Sequence, residues 1–167
     1  MRSLLVAFAL TALAVAPGPV RADVADITGS WTVTGSCKGV LQGAKAKLTF
    51  TGTIEYSEDA SAGTAASQVA LTTNLGPIDL DFCGDLIGVP GKSDQVAGLF
   101  AAGSGPAFAS ESLTNAEVFP ADSSGATGKL KGSLTVVDQG NQELLTCKFK
   151  GSRTSTSDPG VSCGSPT

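Results

Sequence analysis

The chain has 167 residues, 16% of them charged, with no histidine, four cysteines and a formal net charge of −4. An acidic balance with no basic cluster along the sequence offers little attraction for phosphate backbones or anionic lipid heads, so neither nucleic acid nor a membrane surface is an expected partner. The missing imidazole removes the usual catalytic base and a principal ligand of zinc and copper, so no metal, no cofactor and no enzymatic activity are expected.

In chain order, Arg2 precedes the apolar run "LLVAFALTALAVA" (Leu4 to Ala16), then come "PGP" and "VRA", ending at Ala22. A basic start, an apolar run and a small-residue exit make a secretory signal peptide over 1–22. The run is about 13 residues, short of the roughly 20 that a spanning helix needs, so no membrane span is expected. Residues 23–167 then form one secreted or periplasmic domain, read as a monomer, with a charge of −6 once Arg2 and Arg21 are gone. All four cysteines lie in the exported part and read as two disulfides.

From there the period is two. "ITGSWTVTGSC" (Ile27 to Cys37) alternates bulky with small or polar residues around the single tryptophan, Trp31. In "AKLTFTGTIEYS", Leu48, Phe50, Gly52, Ile54 and Tyr56 alternate with Lys47, Thr49, Thr51, Thr53 and Glu55, the pattern of a strand with one buried face. Alternation continues through "SQVALTT", "PIDLDFC", "DQVAGLFA", "ESLTNAEVF" (to Phe119), "GKLKGSLTVV" and "ELLTCKFKGSRT", separated by the turn-rich "SEDASAG", "NLGP", "VPGKS", "AAGSGP", "PADSSG" and "DQGN". Eight short strands without a helical period make an all-β fold, an antiparallel barrel or a sandwich.

Closure of an up-and-down eight-stranded barrel requires the first and last strands to pair antiparallel, and opposed residues then have a constant sum of numbers. Setting Trp31 opposite Arg153 also sets Val33 against Gly151, Gly35 against Phe149 and Cys37 against Cys147. One register thus satisfies burial, size complementarity and a disulfide together. Four cysteines allow three connectivities; this one leaves Cys83 for Cys163, stapling a C-terminal tail that begins near residue 155 onto the barrel wall. A disulfide-bonded sandwich of immunoglobulin type would instead bridge two sheets through Cys37 and either Cys83 or Cys147.

"GSW" (Gly29, Ser30, Trp31) opening the first strand, an eight-stranded meander and Arg153 on the last strand resemble the calycin group, the lipocalins and their relatives. The resemblance implies that Trp31 closes one end of the barrel and that Arg153 packs across its indole. The chain departs from that group in having no Thr-Asp-Tyr loop motif, and too few residues after Arg153 for a C-terminal helix plus tail.

An eight-stranded barrel either fills itself with side chains or holds one small ligand. The expected lining is Phe50, Ile54, Tyr56, Leu71, Leu80, Phe82, Leu134 and Phe149, beside Gly52, Gly132 and Gly151. Inward glycines leave space, so the chain reads as a lipocalin-like carrier of a small apolar ligand, with Tyr56 the inward residue able to orient it by hydrogen bonding. The alternative is a packed barrel, its glycine space filled by Phe149, that binds or inhibits another secreted protein through long loops such as "VPGKS" and "AAGSGPAFASES". "GSG" (Gly103 to Gly105) lacks the context of a nucleophile elbow. The acid group Asp79, Asp81 and Asp85 suggests calcium, but Asp79 and Asp81 fall on the outward parity of a strand whose inward set is Ile78, Leu80 and Phe82, and the spacing is not that of a calcium loop.

Overall fold

A computed structural model describes residues 25–59, 62–104, 107–118 and 128–163. The signal peptide, Phe119, Gly105 and the "PADSSG" turn lie outside these residues. Eight strands follow one another: β1 (Gly29–Leu41), β2 (Ala44–Asp59), β3 (Thr64–Thr73), β4 (Gly76–Val89), β5 (Lys92–Ser104), β6 (Ala107–Val118), β7 (Gly128–Asp138) and β8 (Glu143–Ser155). Each pairs antiparallel with its chain neighbour, and β1 pairs with β8, closing the sheet into a barrel in sequence order. The sandwich is thereby excluded. No helix of the described residues is long and apolar enough to cross a membrane.

The seam runs in the register that sequence required: Trp31 opposite Arg153, Val33 opposite Gly151, Gly35 opposite Phe149 and Cys37 opposite Cys147. The disulfides are Cys37–Cys147 and Cys83–Cys163. The first lies inside the barrel, with both residues buried. Cys83 points outward from β4, so its bond holds the tail against the outer wall.

Two differences from the sequence reading have local causes. β1 runs on past Cys37 to Leu41, because Gln42 and Gly43 (φ 48° and 77°) make a two-residue hairpin turn with both central residues left-handed, which matches strand twist. The expected loop "AAGSGPAFASES" is mostly ladder: Ala101 to Ser104 pair with Ser110 to Ala107. Its small residues, Ala102 and Ala109 on the inward side among them, let the barrel wall continue where bulky side chains would collide.

The walls differ in regularity. The β7–β8 and β1–β2 ladders run without interruption. Register shifts fall at Gly88/Val89 between β4 and β5, at Val96/Gly98 between β5 and β6, and at Leu113/Asn115 between β6 and β7, with a single one at Ser30/Trp31 where the β1–β8 seam begins. Such bulges reverse the inside-outside parity of the residues beyond them.

Candidate functional site

Tyr56 on β2 and Ser67 on β3 are directly opposed across strands, and both point into the barrel. From the far wall, Glu111 on β6 reaches between them. Tyr56 Oη donates to Glu111 Oε1 and Ser67 Oγ donates to Oε2 at 2.8 Å, so each carboxylate oxygen accepts one hydroxyl. All three residues are fully buried. Burial pushes the Glu111 carboxyl up to about 7, against the pull of its two hydrogen bonds. The Tyr56 phenol is raised well above its ordinary value, first by burial and then by the neighbouring Glu111. Its ring also packs at a tilt on Phe100, with centroids 5.7 Å apart.

Sequence reasoning placed Tyr56 here but missed Glu111 and Ser67. The signal was present: Ala109, Glu111 and Leu113 share one parity on β6, as Ser67, Val69 and Leu71 do on β3. A polar residue in such a series is read as facing water unless the inward set is followed strictly.

Phe50, Ile54, Leu71, Leu134 and Phe149 surround Glu111 together with Val69, and the space among them admits no water-sized volume. Phe82 is buried opposite Ser67, and Leu80 is half-buried against the same core. The glycine space is occupied. A Cβ on Gly132 would collide with the Phe149 ring, one on Gly35 with the Phe50 ring, and one on Gly151 would lie 2.8 Å from a Val33 methyl. Phe149 therefore fills the space over Gly132, while Phe50 takes the place over Gly35 that the seam register alone would have assigned to Phe149.

At the end of the barrel where β1 begins, Trp31 is fully buried and donates from Nε1 to the Ile27 carbonyl at 3.0 Å. The Arg153 guanidinium carbon lies 5.5 Å from the indole centroid, and Nη2 donates to the Thr28 carbonyl. Arg153 Nε has no partner among the described residues. Glu58 accepts from the Ile27 amide at 2.6 Å, and burial raises its carboxyl to about 7. On the outer wall the tail is held by Ser57, which donates to Asp158 at 2.5 Å and accepts from the Val161 amide at 2.9 Å.

The outer surface overturns one premise of the sequence reading. Lysines scattered along the chain converge: Lys129 and Lys131 on β7, Lys148 and Lys150 on β8, Lys38 on β1, and Lys45 and Lys47 on β2 all point outward from four adjacent strands. Seven of the eight lysines thus share one side of an acidic protein. An open groove of about 720 Å³ runs over it between Lys131, Lys148 and Lys150, with Gly35, Gly132 and the buried Phe50 and Phe149 in its floor. On another part of the wall, Asp79, Asp81 and Asp85 alternate along the outer face of β4, where Asp81 accepts from Gln68 at 3.0 Å.

No protein-family model matches the chain, and no curated protein matches it. Among solved structures, the S-type phycobiliprotein lyase CPES from Guillardia theta is similar at a TM-score of 0.44 and 10% identity, over 79% of this chain and 90% of that one. At that level the likeness carries no argument about what this chain binds. The eight-stranded barrel stands, and a tie to the calycin group rests on Gly29, Ser30, Trp31 and Arg153 alone. The expectation of no enzymatic activity is corrected and withdrawn. A barrel architecture by itself gives no ground for excluding catalysis. Glu111 is moreover a group titrating near neutrality, which a count of histidines misses.

Proposed function

We propose that the protein is an exported binding module that engages its partner through the outer surface of a packed barrel. The observation that carries this reading is the filled lumen: no water-sized volume remains around Glu111, while an open groove of about 720 Å³ lies on the outside. Export is supported by the two disulfides and by the signal-like segment before Ala22. Native mass spectrometry of the protein recovered from its own host tests the reading. The expected result is the mass of residues 23–167 with two disulfides and nothing retained inside; a defined small-molecule adduct would contradict it.

A second reading, a carrier of a small apolar ligand, is favoured by one observation, the hydroxyl–carboxyl cluster of Tyr56, Ser67 and Glu111. A ligand that displaced the Phe149 ring would meet these groups, and its N–H or O–H would replace one hydroxyl on the carboxylate. Loss of the retained adduct in Glu111→Gln would support this reading over the first.

A further inference from the structure

We propose that the outward face of β7, β8, β1 and β2 binds an acidic polysaccharide, the carboxylates of a uronic-acid chain lying along a diagonal band of lysines. This deepens the outer-surface reading and rests on it. In the observed register the outward positions form rows across the four strands. The first row is Lys129, Ser152, Thr32 and Thr53, and the second is Lys131, Lys150, Thr34 and Thr51. The third is Ser133, Lys148, Ser36 and Thr49, and the fourth is Thr135, Thr146, Lys38 and Lys47. Lysine moves from β7 to β2 as the rows climb, and every other position in them is serine or threonine. None is a carboxylate.

Lys131 faces Lys150, and Lys38 faces Lys47, directly across the ladder. Like charges in that position repel, and no ion pair relieves any of these six lysines among the described residues. Carboxylates meet the band only at its first-row end, where Glu117 on β6 faces Lys129 and Glu55 follows Thr53 along β2; the other acids stand elsewhere, as on β4. A repulsive array with carboxylates only at its edge is complementary to a partner that brings its own anions at regular intervals. Alternate residues along a strand stand about 6.7 Å apart and neighbouring strands about 4.8 Å apart, so the band offers ammonium groups at nearly even steps across a convex wall.

The surroundings of the lysines select the class of polyanion. Hydroxyls fill the gaps, which suits a partner that is itself hydroxylated and can exchange hydrogen bonds at each step. Phe50 and Phe149 reach the groove floor but are buried, so no exposed aromatic ring stands in these rows to stack a base, and no arginine presents a fork for phosphate, as nucleic-acid surfaces commonly do. The four rows contain no apolar anchor for a lipid surface; the next row, Val137, Leu144 and Val40 beside Lys45, does carry an exposed leucine, which makes vesicles a needed comparison probe.

The test uses the full disulfide-bonded mature chain and fluorescently labelled oligogalacturonate, with neutral dextran, duplex DNA and phosphatidylglycerol vesicles as comparison probes. The expected result is saturable, salt-sensitive binding of oligogalacturonate and none of dextran. Binding should fall more than tenfold in Lys131→Gln/Lys148→Gln/Lys150→Gln and stay unchanged in Lys92→Gln, the lysine off this face. The proposal is overturned by absence of oligogalacturonate binding, by equal binding in the triple variant, or by tighter binding of DNA or vesicles through the same lysines. A lumen adduct in native mass spectrometry would instead fail the outer-surface reading itself, so the two failures are distinguishable.

Discussion

The wall built from β7, β8, β1 and β2 and the wall built from β4, β5 and β6 follow different rules. The first is regular apart from one shift at Ser30/Trp31 where the seam begins, with β7–β8 and β1–β2 ladders that run unbroken, a disulfide across its seam and lysine and hydroxyl side chains outside. The second is interrupted by three register shifts, presents aspartates outside on β4 and sends Glu111 inward from β6. Regular alternation fixes a face and lets charge accumulate on it. Glu111 itself lies in the unbroken stretch before the β6 shift, on the inward parity of Ala109 and Leu113, so a polar residue enters the core without any bulge to aim it.

The largest expected effect breaks the regular wall at its seam. Cys37→Ala/Cys147→Ala opens a loop with a sequence separation of 110 and should lower unfolding free energy by about 4 to 5 kcal/mol in chain-entropy terms. Removing Cys83–Cys163 should lower it less, because that bond holds only the tail to the outer wall and the freed tail regains its entropy in the folded state. Guanidinium titrations of both variants measure the difference; a larger loss from the tail bond would reverse the assignment.

The second effect lies on the bulged wall. Glu111 holds its proton up to about pH 7 in the folded chain, against an ordinary 4.5. Below both values the group is protonated in either state and folding is unaffected by it. As pH rises from about 4.5 to 7, the unfolded chain releases the proton first, and stability falls by up to about 3 kcal/mol. Glu58 acts in the same direction. Thermal melting should therefore be higher at pH 5 than at pH 7.5, and Glu111→Gln should flatten most of that slope. A melting temperature that rises over this interval in the wild-type chain would contradict the buried carboxyl.

Smaller changes test the ends and the face. Arg153→Ala removes the guanidinium from the Trp31 ring and from the Thr28 carbonyl, for a loss of about 1 to 2 kcal/mol and a shift in Trp31 emission toward the red. Unaltered emission and stability would exclude the plug. Lys131→Gln has the opposite sign. Relief of its repulsion with Lys150 should raise stability by about 0.2 to 1 kcal/mol at low salt, and the gain should vanish at high salt.

The regular wall was legible in the sequence because strict alternation and the Trp31–Arg153 register carry through it. Its charge was not legible residue by residue: Lys129, Lys131, Lys148 and Lys150 meet across one hairpin, but Lys38, Lys45 and Lys47 join them only once β1 closes on β8. That closure was foreseen, so extending its register outward as well as inward would have shown the band. Glu111 escaped for a different reason. The register shift at Leu113/Asn115 breaks the period just after it, and a carboxylate three residues from a bulge looks like a solvent-facing residue of a poorly ordered strand. That the lumen is full depends on where the Phe50 and Phe149 rings turn, which alternation does not determine.

The most direct test is an amide NMR titration of the full disulfide-bonded mature chain with oligogalacturonate. Progressive shifts confined to the β7–β8–β1–β2 wall, centred on Lys131, Lys148 and Lys150, with Ser67 and Glu111 unmoved, are the predicted result. Shifts centred on Ser67, Glu111 and the residues around them, or no shifts at all, would contradict an account in which the barrel is filled and its lysine face does the binding.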